Sequence, residues 1–257
     1  MTDTFSGKKA LVVGGTGGIG RAVALGLAER GAEVTVHGGS SRERLDGTLR
    51  AIGENGGKGN GFLLQIDGPG AAGEIFTRFS ALADVRQNDV RQNDGSPDIL
   101  VCAWGPFRQG TLETTDGDFW QKTTENNLIF PGILVSLSLA GMAARNWGRI
   151  LLFGGTNTDT IRGFRTTAAY SAAKTALGVI AKSVAKAAGS RGVTCNVLCP
   201  GLTETEYTGE EQRQYYREKS PNHRPMSTGE LAQIALAILE NPGLNGAVIP
   251  ADQGIVL

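Results

Sequence analysis

Short apolar runs alternate along the chain with longer segments of helical period. Most of the short runs are rich in Val, Ile or Leu without strict alternation, as in strands that are covered on both faces. The predicted strands are residues 9–14, 33–37, 62–66, 98–103, 149–153, 193–198 and 247–250. The predicted crossover helices lie near 18–30, 42–54, 70–83, 117–145, 168–189 and 228–240. This alternation predicts one α/β domain over residues 1–257, with a doubly wound sheet of about seven parallel strands.

Two segments depart from this rhythm. Residues 85–94 are the tandem repeat VRQND-VRQND, which is too short for a solenoid and suits an exposed loop or helix extension. Residues 202–225 are charged and aromatic and lie between the sixth strand and the last helix. Long loops in such positions often form lids, so we predict a substrate-loop lid over 202–225.

Composition narrows the class of protein. Lys and Arg together number 25, as do Asp and Glu, and this balance argues against a nucleic-acid partner. The apolar run 128–144 is shorter than the ~20 residues of a membrane span and contains Pro131, so we predict a buried helix and no membrane partner. The start MTDTFSGKK lacks the apolar core of a signal peptide, and the three cysteines form no C-x-x-C pair. We therefore expect a cytoplasmic protein with reduced thiols and no metal site.

A glycine-rich turn follows the first predicted strand. The sequence GGTGGIG covers residues 14–20 and leads directly into a predicted helix. Gly14, Gly18 and Gly20 would let the chain turn tightly, and free amides at the start of the helix would face a pyrophosphate. In this strand–turn–helix setting the pattern predicts a Rossmann-type dinucleotide site.

The residues after the second strand bear on the cofactor. They read His37-Gly38-Gly39-Ser40-Ser41-Arg42 and include no acidic residue. Hydroxyls and a guanidinium suit a phosphate group, so we predict that NADP(H) is preferred over NAD(H). Arg42 could instead cover the solvent face of the next helix. Asp67, after the third strand, is a candidate for the adenine amino group or, alternatively, for a helix N-cap.

Tyr170 and Lys174 stand four residues apart on a predicted helix and so share one face. A free phenol titrates at about 10, and a neighbouring ammonium favours the phenolate. We therefore predict that Lys174 lowers the pKa of Tyr170 and that the pair serves proton transfer.

In order along essentially the whole chain, these residues resemble the short-chain dehydrogenase/reductase family. The matches are Gly14-x3-Gly18-x-Gly20, Asp67, Asn127 seven residues after Trp120, Tyr170-x3-Lys174, Pro200-Gly201 with Thr205, and GAVIPADQG at 246–254. The resemblance implies that Tyr170 is the acid/base, that Lys174 holds the nicotinamide ribose, and that Asn127 holds a water. Together, the resemblance and the spacing of these motifs predict thirteen cofactor-binding residues. They are Gly14, Thr16, Gly18, Ile19, Gly20, Ser40, Ser41, Arg42, Asp67, Gly105, Pro200, Gly201 and Thr205.

Two motifs depart from the family pattern. Residues 102–105 read Cys-Ala-Trp-Gly where the family usually has Asn-Asn-Ala-Gly. No serine follows the fifth strand: counting forward from the strand reaches Gly155 or Thr156, and counting back from Tyr170 reaches Asn157. We predict that the Thr156 hydroxyl fills the serine role, with the Asn157 amide as the second choice.

The predicted function is NADP(H)-dependent hydride transfer between nicotinamide and a small-molecule carbonyl or secondary alcohol. The nearest resemblance is to ketoacyl-thioester reductases and related ketoreductases. The alternative is a dinucleotide-binding sensor that turns over poorly because of Gly155 and Cys102. Family members are commonly dimers or tetramers built on the helices here at 117–145 and 168–189, so we expect a homotetramer or homodimer.

Overall fold

The sheet is seven-stranded and entirely parallel, in a computed structural model that describes residues 4–83 and 95–255. Its strand order is β3-β2-β1-β4-β5-β6-β9, which confirms the predicted doubly wound Rossmann-type fold. The strands are β1 Lys9–Val13, β2 Glu33–Gly38, β3 Lys58–Leu63, β4 Ile99–Cys102, β5 Gly148–Phe153, β6 Val193–Pro200, β7 Thr203–Glu204, β8 Met226–Ser227 and β9 Val248–Ala251. The repeat at 85–94 lies outside the described residues, so its predicted conformation stays a prediction.

Helices cover both faces of the sheet. They are α1 Gly18–Glu29, α2 Arg42–Glu54, α3 Ala71–Leu82, α4 Gly117–Thr124, α5 Phe130–Ala144, α6 Ala168–Ala188, α7 Glu210–Lys219 and α8 Thr228–Glu240. One apolar cluster joins the sheet to α1, α2 and α8 through residues such as Leu27, Ile52 and Leu236. The other joins it to α3, α5 and α6 through residues such as Phe79 and Leu134. These two layers hold the carboxyl ends of the strands at one edge, where ligands bind in such sheets.

The third strand begins four residues earlier than predicted, at Lys58–Leu63 rather than 62–66. Apolar content favoured FLLQI, but the strand that pairs with β2 begins in KGNG. A Cβ on Gly61 would stand 2.5 Å from the Val36 carbonyl oxygen and 2.7 Å from Leu45 Cδ1. Glycine is therefore required for β3 to approach β2 and α2 this closely.

The predicted helix over 117–145 is interrupted. Between α4 and α5, residues Glu125–Ile129 form a π-helical turn in which the Phe130 amide donates to the Glu125 carbonyl five residues back. Pro131 has no N–H to offer the Asn127 carbonyl, which favours a wider turn here.

The continuous helical segment Gly117–Ala144, made of α4, the π-helical turn and α5, is the one helix among the described residues that is long and apolar enough to cross a membrane. Half of its most apolar window is buried in the fold.

The segment 202–225 is more ordered than a loop. It contains β7, which pairs with β8, and the ten-residue helix α7. Glu204 of β7 forms an ion pair with Arg213 of α7, with 2.6 Å between Oε1 and Nε. The helix was not predicted because its sequence, EEQRQYYREK, carries no apolar stripe and has no buried residue.

Candidate active site

The glycine turn joins β1 to α1 in a conformation that requires its glycines. Gly14 and Gly18 have φ of +79° and +50°, in the left-handed region that favours glycine. A Cβ on Gly20 would stand 2.2 Å from the Gly14 carbonyl oxygen. The turn borders a cavity of about 310 Å3, in which the structure brings together seven of the predicted cofactor residues. These are Gly14, Thr16, Gly18, Ile19, Gly20, Gly105 and Thr205.

His37, at the end of β2, braces this turn from behind. Its Nδ1 lies 3.3 Å from the Gly14 amide and its Nε2 lies 2.9 Å from the Leu64 carbonyl oxygen. Both hydrogen bonds form only in the neutral ring, with the proton on Nε2 and Nδ1 accepting. Burial lowers the pKa of His37 from 6.5 to about 4, which keeps the ring neutral at pH 7.

We expect acid to destabilise the fold through His37. The unfolded chain binds a proton at this ring below pH 6.5 and the folded chain only below about 4, so the contribution is complete above 6.5. It falls by about 3 kcal/mol as the pH decreases towards 4. Urea unfolding at pH 7.5 and pH 5 measures this loss. His37→Gln should be less stable than the native chain at pH 7.5 but show a flatter dependence on pH; equal slopes in the two proteins would contradict the assignment.

The residues after β2 face different ways. The Ser41 hydroxyl caps α2 by accepting from the Arg44 amide at 3.3 Å. The Arg42 side chain is 67% exposed and lies 3.8 Å from Asp46. Arg44 instead turns towards the glycine turn, where its Nη1 donates to the Tyr207 hydroxyl at 2.6 Å. Sequence reasoning did not single out Arg44.

Four other predicted cofactor residues lie at the same edge of the sheet without lining that cavity. Asp67 is exposed four residues beyond β3, and α3 has Gly70 as its N-cap, so Asp67 is not the alternative helix cap. Pro200 ends β6, and its carbonyl accepts from Thr156. Gly201 packs so closely on β9 that a Cβ there would stand 2.5 Å from Asp252 Cα. Ser40 is exposed at the end of β2.

Tyr170, Lys174 and Asn127 converge beside Gly105. Lys174 Nζ lies 5.7 Å from the centre of the Tyr170 ring and donates to the Phe153 carbonyl at 2.9 Å. A Cβ on Gly105 would stand 2.8 Å from Lys174 Nζ and 2.7 Å from Asn127 Oδ1, so only glycine leaves these two atoms room. The Asn127 amide nitrogen donates to the Pro106 and Thr123 carbonyls. Its Oδ1 is buried without a hydrogen-bond partner, as expected of a group that serves a ligand or a water.

The proton affinities of this cluster differ from the prediction. Burial raises the pKa of Tyr170 to about 12, and the nearby Cys199 adds to this increase. The predicted lowering of the Tyr170 pKa by Lys174 is therefore wrong, because burial of the phenol dominates the shift. Burial also lowers the pKa of Lys174 to about 8. At neutral pH Tyr170 thus keeps its proton and can donate it.

The loop after β5 places a glycine, which has no side-chain hydrogen-bond donor, beside Tyr170. A Cβ on the buried Gly155 would stand 2.9 Å from Tyr170 Cε1 and 3.3 Å from its hydroxyl oxygen, so position 155 faces the tyrosine. The Thr156 hydroxyl donates to the Pro200 carbonyl at 3.0 Å. Asn157 is buried in the left-handed region, with φ of +61°. Thr158 holds the turn by accepting from the Gly155 amide and donating to its carbonyl.

An aromatic side chain lines the approach to Tyr170. Phe107 packs edge-to-face on its ring, with 5.1 Å between the ring centres, and is 59% exposed. An exposed phenyl group at the mouth of the site offers an apolar surface to a substrate. Among the described residues, no cluster of three or more His, Cys, Asp or Glu side chains is arranged to hold a metal ion.

The glycine turn and the unpartnered Asn127 oxygen fit a dinucleotide in this cleft, and the Tyr170–Lys174 pair fits proton transfer at its end. Fold and site together define a nicotinamide-dependent oxidoreductase that acts on a C=O or CH–OH group. Residues 8–216 match the family model described as short chain dehydrogenase, and the chain belongs to this family.

Known proteins similar to this chain include ketoreductases. The 3-oxoacyl-[acyl-carrier-protein] reductases FabG of Pseudomonas aeruginosa and Salmonella typhimurium are 29% and 33% identical, and each comparison covers 99% of both chains. Among solved structures, the angucycline C-6 ketoreductase LanV with bound NADP has a TM-score of 0.87 at 25% identity, covering 99% of this chain and 97% of that one. The NADP-bound 3-oxoacyl (acyl-carrier-protein) reductase of Agrobacterium tumefaciens C58 has a TM-score of 0.85 at 26% identity, covering 97% and 95%.

Proposed function

We propose that this protein is an NADP(H)-dependent ketoreductase that uses Tyr170 as its acid/base. The observation that carries the proposal is the convergence of Tyr170, Lys174 and Asn127 at the same sheet edge as the glycine turn. The similar proteins described above are named as 3-oxoacyl-[acyl-carrier-protein] reductases and as an angucycline C-6 ketoreductase. We propose that residues 1–257 work as one domain, with 202–225 as the lid.

The chain offers a contact for each part of the cofactor. The amides at the start of α1 suit the diphosphate, and Lys174 has two donors left for the nicotinamide ribose after its bond to Phe153. We propose Thr205, with Pro200 and Gly201, for the nicotinamide amide and Asp67 for the adenine. When bound, the nicotinamide supplies or accepts the hydride.

Two features support a preference for NADP(H). Residues 37–42 at the end of β2 carry no carboxylate that would repel a 2′-phosphate. Arg44 and Arg21 line a cavity of about 660 Å3 beside the glycine turn. Since a guanidinium pairs well with phosphate, we propose Arg44 as the main 2′-phosphate contact, with Ser40, Ser41 and Arg42 close by.

In the reduction direction, Tyr170 would donate its proton to the carbonyl oxygen. Its raised pKa keeps it protonated at neutral pH until negative charge develops on the substrate. Lys174, whose pKa lies at about 8, would return the proton through the water that Asn127 Oδ1 is free to bind. The Thr156 hydroxyl would have to leave Pro200 to reach a substrate, so we propose Tyr170 as the principal donor to the substrate oxygen.

The test is NADPH oxidation by the purified protein with β-ketoacyl thioesters, simple ketones and polycyclic aromatic ketones as separate substrates. Turnover with any of them supports the ketoreductase, and the best substrate identifies the class. Tight NADPH binding without turnover would favour the dinucleotide sensor instead. The feature that favours the sensor is Gly155, which presents no hydroxyl to the substrate beside Tyr170.

We propose a cytoplasmic homotetramer, with a homodimer as the alternative, built on α5 and α6. A groove of about 460 Å3 between these helices is lined mostly by apolar side chains, including Ile129 and Val179. Val179 is 67% exposed, which suits contact with a second copy of the chain. Val179→Asp should therefore reduce the assembly size in light scattering, whereas Leu82→Asp on α3 should not. Equal masses for Val179→Asp and the native chain would place the interface elsewhere.

A further inference from the structure

The lid places a carboxylate on the phosphate-binding end of α1. Both oxygens of Glu206 accept from the Gly18 amide, at 2.9 and 3.0 Å. Helix α1 has no side-chain cap from its own N-cap residue and no acidic residue in its first turn. Its first amide therefore bonds to a residue 188 positions away in the sequence. A carboxylate and a phosphate oxygen suit the same donor, since both are anions at a helix N-terminus.

Gly17 leaves room in the turn for the side chains of Glu206 and Tyr207. Its φ of −162° and ψ of 169° are extended backbone that any residue adopts, so conformation does not require glycine. A Cβ at this position would instead stand 2.3 Å from the Tyr207 hydroxyl and 2.6 Å from Glu206 Oε1. The absent side chain makes room for two residues of the lid.

Tyr207 fixes the lid at a second point. Its hydroxyl accepts from Arg44 Nη1 at 2.6 Å, and the Arg44 guanidinium carbon lies 4.7 Å from the centre of its ring. Arg44 is the residue proposed above for the 2′-phosphate. The lid therefore engages both hydrogen-bond donors, the neutral Gly18 amide of α1 and the charged Arg44 guanidinium, that would meet the phosphates of NADP(H).

We propose that Glu206 and Tyr207 form a latch that holds the lid on the cofactor site and that the phosphates of NADP(H) displace. Glu206 occupies the position proposed for the diphosphate, and the Tyr207 hydroxyl takes up one donor of Arg44. The diphosphate would therefore displace the first contact and the 2′-phosphate the second. The inference rests on the proposed function, because it assumes that NADP(H) binds at the glycine turn. It makes Glu206 and Tyr207 determinants of cofactor affinity that act by competing with the ligand.

The two contacts predict different selectivities. Glu206→Gln keeps an oxygen for the Gly18 amide but removes the charge, so dissociation constants for NADPH and NADH should both fall about three- to tenfold. Tyr207→Phe frees Arg44, which only the 2′-phosphate uses, so NADPH should bind more tightly while NADH stays unchanged. Glu211→Gln, the same charge removed from the first turn of α7, is the matched control and should alter neither constant.

Fluorescence titration with NADPH and with NADH measures these constants, and amide hydrogen exchange at Gly18 in the empty protein measures the latch directly. We expect faster exchange at Gly18 in Glu206→Gln than in Glu211→Gln. Unchanged or weaker binding by Glu206→Gln, while the native protein binds NADPH, would overturn the latch and leave the proposed function standing. No NADPH binding by the native protein or any variant would overturn both. Gly17→Ala, whose methyl group would push the lid away, should tighten NADPH binding as Glu206→Gln does; weaker binding would count against the latch.

Discussion

Replacing Tyr170 by phenylalanine is expected to lower the turnover of carbonyl substrates by about 10²–10⁴-fold, the usual contribution of a positioned proton donor. The phenyl ring keeps the edge-to-face contact with Phe107 and the contact with Gly155, so the site retains its shape. Lys174 stays bonded to the Phe153 carbonyl, so cofactor affinity should hardly change. The loss should therefore fall on kcat, because the variant lacks only the proton that the substrate oxygen receives.

Steady-state NADPH oxidation with the best substrate, together with an NADPH titration, separates these effects. Tyr215→Phe is the matched control, since that hydroxyl belongs to a half-exposed side chain on α7. Native turnover in Tyr170→Phe would mean that another group supplies the proton. Parallel loss of turnover and NADPH binding would mean that Tyr170 holds the cofactor rather than the proton.

The second large effect is expected at Arg44. Arg44→Gln should raise the dissociation constant for NADPH by about tenfold or more, because it removes a charge-assisted bond to the 2′-phosphate. NADH lacks this phosphate and does not use Arg44, so its dissociation constant should stay the same when the bond to Tyr207 is lost. The ratio of the two constants, measured by titration, is the quantity that reports the preference.

Arg42→Gln is the comparison that decides between the two arginines. The Arg42 guanidinium is largely exposed and lies beside Asp46, so its removal should alter the NADPH constant less than the removal of Arg44. A larger effect of Arg42→Gln would assign the 2′-phosphate contact to Arg42, as the sequence predicts. Equal effects on NADPH and NADH at Arg44 would remove the basis for an NADP(H) preference there.

The cofactor turn could be predicted because its physics is local. Gly14 and Gly18 are required by their backbone angles, and Gly20 by its close approach to the Gly14 carbonyl. All three lie in one strand–turn–helix unit, so the spacing of the glycines in the sequence is enough to predict the turn. The seven-stranded parallel sheet could be predicted for a similar reason, since repeated apolar runs between helices admit few other arrangements. Tyr170 and Lys174 were paired by the period of a helix.

The remaining features depend on contacts that spacing does not contain. Arg42 and Arg44 differ by two positions, which on a helix points their side chains to different sides, and the phase of α2 is fixed where Ser41 caps it. Glu206 accepts from the Gly18 amide although the two residues are 188 positions apart, so no local sequence pattern predicts this contact. The pKa of Tyr170 depends on how much solvent the fold removes, which a count of neighbouring charges misses.

The packing of Gly155 against Tyr170 also limits which substitutions position 155 tolerates. A serine introduced at position 155 would bring its Cβ to 2.9 Å from the tyrosine ring, inside normal contact distance, so the ring would have to move. A single substitution at position 155 therefore does not place a hydroxyl beside an unmoved Tyr170; a second substitution would have to shift the tyrosine or reshape the loop after β5.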